Sequence, residues 1–321
     1  MLRSMYSGIS GLKNFQTKLD VIGNNIANVN TVGFKKGRVN FKDLMSQTQA
    51  SASGSTATRG GVNPQQVGLG SQLAAIDTIH GGGSLQQTGR GLDLAISGEG
   101  FFMVADANGE PNKDGFIDAA GFNNTLFTRN GIFYMDNNGY LVNADGKYMV
   151  GISAGDDIVI EKDDTGILEA DGKKASGDKG ENLFDDTGEL KPAEGDVGPI
   201  RIPPTAKEVH ISQDGTITYI DLNGTLQWAG QLIMAKFPNA GGLAKVGGNY
   251  YQQTSNSGKA YAQVGTVAGM GSVETGKVEM SNVDLSEEFT EMIVAQRGFQ
   301  ANTRIITTSD EILQELVNLK R

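Results

Sequence analysis

The sequence predicts an α+β protein in which terminal helices form a coiled-coil-like domain and the middle domains are predominantly β. Three observations carry this. Apolar positions step by three and four at both ends of the chain, short alternating segments bounded by Gly, Asn and Asp fill the middle, and 45 glycines punctuate the 321 residues. That glycine content is about twice ordinary usage and falls between strand-sized segments, which marks β-turns.

In residues 1–30 the positions Leu2, Met5, Ile9, Leu12, Leu19, Ile22, Ile26 and Val29 form one stripe with a polar break at Gln16, the pattern of an amphipathic helix. Asn30 and Gly33 stand where a helix C-cap is expected, so the helix is placed to end near residue 30. At the other end Leu285, Phe289, Met292, Phe299, Ile306, Leu313 and Val317 step in the same way, with polar breaks at Gln296, Thr303 and Asp310. Asp284 followed three residues later by Glu287 has the form of a capping box, in which each side chain satisfies a backbone donor of the first turn. No proline follows Pro238, so this helix is free to run to the C-terminus. Two such stripes, outside a β-rich middle, are both satisfied if the ends pair within a subunit and between subunits. The polar breaks either fix register or are solvent-facing gaps.

Between the ends, residues 92–96, 101–104 and 217–221 are strand-sized and apolar. Residues 134–142 and 210–218 each place a turn, Asn-Gly in one and Asp-Gly in the other, between two short strands, so one sheet domain is expected to be visited twice. Residues 153–196 carry fourteen Asp/Glu against five Lys/Arg, nearly the whole net charge of −10, and read as a solvent-facing insertion. Residues 46–63 are small and polar, as in a linker or arm. The organisation expected is therefore a helical domain from 1–32 and 282–321, a linker or extended arm at 33–75, a β-rich middle at 76–150 and 197–281, and an acidic inserted domain or loop at 151–196.

Several function classes are excluded or weakened. A net charge of −10 with no Lys/Arg cluster argues against nucleic acid. There is no cysteine, hence no disulfide or thiolate metal site. Residues 1–15 lack the continuous apolar core of a secretory signal or membrane span, so neither general secretion nor membrane insertion is expected. Residues 110–121 imitate part of a calcium loop, but Gly121 stands where the closing bidentate Glu belongs, and a hydrated turn is the better reading. His80 and His210, the only histidines, have neither a second histidine nor a serine motif beside them. The runs 68–70, 81–83 and 269–271 do not complete a phosphate-binding GxGxxG. The carboxylates Asp156, Asp157, Asp163 and Asp164 have few apolar neighbours to raise a pKa for glycosidase work. No catalytic, cofactor-binding or metal residue is assigned, and no cofactor is expected. An enzyme of the central domain would survive loss of both termini, and an adhesin would place its function on 153–196.

Residues 24–36, NNIANVNTVGFKK, resemble the N-terminal signature of the flagellar rod and hook axial proteins, with Asn24, Asn25, Asn28, Asn30, Thr31, Gly33 and Phe34 as its motif positions. The likeness extends from residue 1 to about 48, through 88–102, 127–133 and 136–146, and from 278 to 319. It leaves the acidic middle and residues 106–123 outside. The resemblance implies that the terminal helices form an inner-tube domain of a helical homopolymer, with the two stripes as subunit interfaces. It further implies export by the flagellar type III apparatus without a cleaved signal peptide, and an extracellular place in the hook or basal body. Within the family residues 88–96, TGRGLDLAI, and the length, with an insertion that the rod relative lacks, favour the hook, a flexible joint, over the distal rod, a drive shaft. For a hook the resemblance implies the distal rod, hook cap and hook–filament junction proteins as partners.

Overall fold

The computed structural model describes residues 2–56, 58–107, 122–153 and 197–319. The side chain of Leu2, the calcium-like segment 110–121 and residues 154–196 of the acidic segment lie outside the described residues. The chain divides into two compact units, one formed by Met1–Val29, Lys35–Ile79 and Val283–Arg321, the other by Asn30–Phe34 and His80–Asn282.

The first, helical unit contains α1 (Leu2–Ala27), β1 (Gly37–Asp43), β2 (Gln47–Ala50), β3 (Gln65–Val67), β4 (Ser71–Thr78) and α2 (Leu285–Asn318). Helix α1 stops three residues short of the expected end. Asn28 donates its side-chain amide to the Asn24 carbonyl at 2.9 Å, and the Val29 N–H turns back to the Ile26 carbonyl three residues away, which tightens the last turn. Gly33 is thus a turn residue and not the helix C-cap. Helix α2 begins at its predicted cap: the Asp284 side chain accepts from the backbone N–H groups of Ser286 and Glu287. Only that half of the capping box forms, because the Glu287 carboxylate pairs with Lys36 at 2.8 Å.

The segment expected at 33–75 as a linker or extended arm holds, from residue 37 on, a long two-stranded antiparallel ribbon. Gly37 pairs with Thr78 at its base, with a bulge between Asn40 and Phe41. Leu44 N–H then donates to the Gly70 carbonyl, β2 pairs with β3, and bridges Ser53–Val62 and Thr56–Arg59 continue the ladder. The polar composition conceals this because a solvated ribbon has no inward face to enrich in apolar residues. The boundary between units falls after Ile79, beyond the predicted 75.

The second unit contains β5 (Leu85–Gln87), β6 (Leu94–Ser97), β7 (Phe101–Ala107), β8 (Phe122–Thr128), β9 (Tyr134–Met135), β10 (Leu141–Val142), β11 (Tyr148–Ser153), β12 (Val197–Pro199), β13 (Glu208–Ile211), β14 (Thr216–Ile220), β15 (Leu226–Lys236), β16 (Ala244–Gly247), β17 (Tyr250–Gln252), β18 (Tyr261–Val264), β19 (Ser272–Thr275) and β20 (Lys277–Glu279). Twelve of these form one sheet along β13-β14-β15-β11-β7-β8-β17-β16, with β9, β10, β12 and β18 attached. Both hairpins recognised in the sequence, β9–β10 and β13–β14, belong to it. Strand β11 runs to Ser153 and pairs with β12 and β15, so the sheet extends three residues into the predicted insertion.

The central strands read as unbroken apolar runs because both faces are covered. Phe102, Val104, Leu126, Met149, Leu232 and Met234 lie in one core cluster, and their neighbours Phe101, Met103, Phe127, Val150, Ile233 and Ala235 in another. Ring contacts Phe102–Phe133 and Phe127–Phe237, at 5.6 and 4.7 Å between centroids, are edge-on, the arrangement aromatic quadrupoles favour.

Four hairpin loops of this unit share one design. In 136–140, 143–147, 212–216 and 221–225 the first N–H donates to the fifth carbonyl, and the glycine N–H at the fourth position donates to the first carbonyl. Gly139, Gly146, Gly215 and Gly224 have φ between +77° and +87°, while the Asn or Asp before each stays at negative φ. These are three-residue loops closed by a glycine bulge, and Asn-Gly and Asp-Gly mark them because only glycine takes that φ cheaply.

Candidate assembly surface

The two terminal helices of the helical unit run antiparallel. A Cβ on Gly8 would meet Ile306 and Asn302, one on Gly11 would meet Asn302, and one on Gly298 would stand 2.6 Å from the Phe15 ring. Lys18 pairs with Glu291 at 3.0 Å, and Asn25 donates to Glu288 at 3.1 Å. On α2 the least exposed positions are Glu288, Met292, Ala295, Phe299, Asn302, Ile306, Ser309 and Leu313, spaced by four and three, with Gly298 beside Phe299. On α1 the contacts just given fall at Gly8, Gly11, Phe15, Lys18 and Asn25, again by three and four with Ile22 between the last two.

This seam is rotated from the apolar stripes of the sequence. Met292, Phe299, Ile306 and Leu313 belong to both and are half-buried. Leu285, Phe289 and Val317 fall on the outer side at 39%, 50% and 66% exposure. The other edge of the seam is made of Glu288, Ala295, Asn302 and Ser309, small or polar residues that an apolar count passes over. On α1, Ile22 is buried at 3%, and Met5, Ile9, Leu12, Leu19 and Ile26 are half-buried, as is Val29 just past the helix end. Gln16, Gln296, Thr303 and Asp310 are all exposed, so the polar breaks are solvent-facing gaps in this chain. Close approach explains the choice of seam residues: glycine at 8, 11 and 298 lets backbone meet a neighbouring side chain directly.

Large apolar side chains stand among the exposed polar ones. Besides Phe289 and Val317, α2 leaves Ile293, Val294, Ile305, Ile312 and Leu316 at 43% or more, as does Leu319 just beyond its end. The ribbon adds Phe41, Met45, Val62, Val67, Leu69, Leu73 and Ile76. A two-stranded ribbon is marginal by itself. Here its base leans on α1, where Asn14 donates to the Ser71 hydroxyl at 2.8 Å and the Phe15 and Phe41 rings lie 6.4 Å apart.

The motif residues divide between the two units. Within the helical unit, Asn25 (2% exposed) acts as a strand partner for Gly37. Its Oδ1 accepts from the Gly37 N–H and its Nδ2 donates to the Gly37 carbonyl, both at 2.9 Å. The same Nδ2 reaches Glu288, so one amide ties α1, β1 and α2. Asn24 is exposed and supplies the carbonyl that Asn28 caps. Around Asn25 lies a cavity of about 140 Å³ lined by Lys18, Lys36 and Arg38 with Glu287, Glu288 and Glu291. Burial holds the Glu288 carboxyl above the usual range, against the opposing pull of the Asn25 hydrogen bond and Lys36, while Glu291 and Glu287 push the same way as burial.

Within the β unit, Gly33 has φ +71° and no space for a side chain, since a Cβ would stand 2.7 Å from the Arg129 backbone. Phe34 is buried and lies under the Lys245 ammonium, 5.2 Å from the ring centroid. Asn30 is exposed and Thr31 half-buried. Thr31 carries the carbonyl that accepts from the Phe34 N–H at 3.3 Å.

No helix among the described residues is long and apolar enough to cross a membrane. The described residues contain no group of three or more His, Cys, Asp or Glu placed to hold a metal ion.

Comparison with known proteins gives these features a common setting. Residues 5–35 match the family profile "Flagella basal body rod protein", residues 95–219 match "Flagellar hook protein FlgE/F/G D1 domain", and residues 274–319 match "Flagellar basal body rod FlgEFG protein C-terminal". The flagellar basal-body rod protein FlgG of Bacillus subtilis is 48% identical over 323 residues, covering all of both chains. The flagellar hook protein FlgE of Borreliella burgdorferi is 34% identical over an alignment of 456 residues, again covering both chains entirely. The basal-body rod protein FlgG of that organism is 31% identical over 325 residues, covering both chains in full. These relatives are structural components of the flagellum. With full-length identity of this order to rod and hook proteins alike, the chain belongs to the flagellar hook and basal-body rod axial protein family.

Proposed function

We propose that the chain is a distal-rod-type subunit of the flagellar basal body, a structural protein and not an enzyme, which assembles with copies of itself through its helical unit. This replaces the hook expectation. The observation that carries it is the 48% identity to a basal-body rod protein aligned over 323 residues. The expectation of a hook rested on an insertion that a rod relative would lack, yet that rod relative spans the whole chain with almost no change in length. The hook relative needs an alignment of 456 residues, and so carries a long stretch with no counterpart here.

Self-assembly is supported by the apolar side chains that the helical unit leaves in water. Seventeen large apolar side chains of this unit are exposed among the described residues, and exposed apolar surface on this scale marks an interaction site. Assembly into a tube, passage through the flagellar export apparatus, and an extracellular position are part of the same reading. The hook cap and hook–filament junction partners expected for a hook are not carried over.

Electron microscopy of basal bodies from cells lacking the gene tests the reading. The expected image is a basal body whose rod stops short of its distal segment. A complete rod lacking only the hook would overturn the rod assignment in favour of the hook.

A further inference from the structure

The stretch FTRNG at 127–131 was matched to the family by sequence, and assembly through the helical unit gives it no task. Its arginine is buried. Arg129 is 4% exposed and pairs with Glu279, 1% exposed, at 3.1 Å. The guanidinium also donates to the Ile96 carbonyl at 3.3 Å and the Gly98 carbonyl at 2.8 Å, and lies 5.4 Å from the centroid of the Phe101 ring. Two charges withdrawn from water in this way are costly unless each is held by further hydrogen bonds, and the partners of Glu279 show what those bonds connect.

The Glu279 Oε1 accepts from the Gly83 N–H at 2.9 Å, and its backbone carbonyl accepts from the Gly33 N–H at 2.8 Å. Beside it the Met280 N–H donates to the Ser84 carbonyl at 2.9 Å, and Asn282 donates its side-chain amide to the Gly81 carbonyl at 3.3 Å. All of these residues belong to the β unit. The chain crosses between the two units at Val29/Asn30, Phe34/Lys35, Ile79/His80 and Asn282/Val283. Gly33, Gly83 and Glu279 each stand within four residues of a crossing, and together they represent every segment by which the chain enters or leaves the β unit. The approach is tight: a Cβ on Gly83 would stand 2.0 Å from the Met280 carbonyl oxygen, and one on Gly33 would meet the Arg129 backbone.

We propose that the Arg129–Glu279 pair is a clasp that fixes the mutual spacing of the three connecting segments, 30–34, 80–84 and 279–282, where they leave the β unit. A merely apolar core residue would stabilise the unit as a whole. The pair sits on one segment, its carboxylate holds the second through the Gly83 N–H, and the backbone carbonyl of the same Glu279 holds the third through the Gly33 N–H, so fixing this residue controls their spacing specifically. In an axial subunit, any torque passing from one unit to the other along the chain passes through these segments, so the clasp is a positioning device for that transmission. The mechanical consequence rests on the axial-subunit reading; the clasp itself does not.

Hydrogen exchange on the full-length chain tests it, and does so without assembly, so that its failure is distinct from failure of the proposed function. Glu279→Gln keeps the shape and one acceptor oxygen but removes the charge. Exchange at the Gly83 amide, which donates to the carboxylate, is expected to rise about tenfold or more, the scale of a weakened charge-assisted hydrogen bond, and the Gly33 and Met280 amides, held by backbone carbonyls of these segments, are expected to rise with it as the spacing relaxes, with β14 and β15 amides unchanged. Arg129→Lys, which keeps a cation but loses the planar fork, is expected to raise the same amides less, and carries the test if Glu279→Gln does not fold. A uniform rise across the β unit would make the pair an ordinary core contact and overturn the proposal. So would unchanged exchange at the three amides.

Discussion

The two units solve the burial problem in opposite ways. In the β unit the large apolar side chains of the central strands are almost wholly enclosed: Phe102, Met103, Phe133, Leu141 and Met234 are at 0% exposure. In the helical unit Ile22 is the one large apolar side chain that is buried among the described residues, and the other buried positions are Gly8, Ala295, Lys35, Asn25, Glu288 and Ser309. Of the 23 large hydrophobic residues that are exposed among the described residues, seventeen lie in the helical unit and six in the β unit. The lesson is that stripe amplitude does not identify an intramolecular core. The β unit uses its apolar residues within the subunit, whereas the helical unit lines its seam with small and polar residues beside half-buried apolar ones and keeps a large apolar reserve.

The difference is broken most sharply by removing a ring from the enclosed side. Phe102→Ala empties a site filled by contact with Phe133, and is expected to cost about 3–5 kcal/mol in urea unfolding of the β unit. A loss below about 1 kcal/mol would mean that the unit is loosely packed and the contrast with the helices false. A step down in size, the repeated glycine loops separate conformation from packing. Gly224 at φ +81° has open space where a Cβ would be, so Gly224→Ala is expected to cost about 1 kcal/mol from backbone strain alone. Gly139 has the same φ class, but its Cβ would stand 2.0 Å from the Ile202 carbonyl oxygen. Gly139→Ala is therefore expected to lower the midpoint further than Gly224→Ala; equal shifts would show that the loop relaxes freely.

These loops also show what was legible in the sequence. Asn-Gly at 138–139 and Asp-Gly at 214–215 placed two of the four because the chemistry is local, and Asp284 placed the start of α2 for the same reason; the loops at 143–147 and 221–225 carry the same dipeptides and were passed over. The family motif was readable as a string, but its physical content was not: Asn25 matters through Gly37 and Glu288, one of them 263 residues away, and no local pattern records that pairing. The helix stripes were legible in period and not in phase. Apolar weighting selects Leu285, Phe289 and Val317, whereas the partner helix selects Glu288, Ala295, Asn302 and Ser309, since close packing rewards small side chains. A search for small residues at a seven-residue spacing, which 295, 302 and 309 satisfy, would have found the seam. The ribbon was missed because its exposed strands lack the alternation on which strand recognition depends.

A smaller effect sharpens the polar side of the seam. Burial raises the Glu288 carboxyl pKa above the ordinary value of 4.5, with Glu291 and Glu287 on α2 adding to the rise, and with Asn25 of α1 and Lys36 opposing it. Lys18 of α1 and Arg38 of β1 line the same cavity. A carboxyl whose folded pKa is raised binds its proton more tightly when folded. Its contribution to stability is then fully present below the unfolded pKa and is lost as pH rises through the folded value. Helix melting followed by circular dichroism is expected to show a stability contribution that declines as pH rises above 4.5. Glu288→Gln, which keeps an acceptor for Asn25, is expected to flatten that decline; an unchanged slope would remove Glu288 as its source.

The smallest expected change in stability is at the apolar reserve, and there the contrast is tested most directly. Phe289 is half exposed on α2, so Phe289→Ser removes little that the subunit itself encloses, and surface substitutions of this kind shift stability by about 0.5 kcal/mol or less. If the exposed stripe is an assembly surface, the same substitution removes a buried aromatic contact from every interface of the polymer. Such a residue in an interface is worth about 1–2 kcal/mol or more. Sedimentation of the purified chain under polymerising conditions should therefore show a raised critical concentration at unchanged monomer melting. A large loss of monomer stability with assembly unaffected would place Phe289 in the subunit's own core and reverse the distinction between the two units.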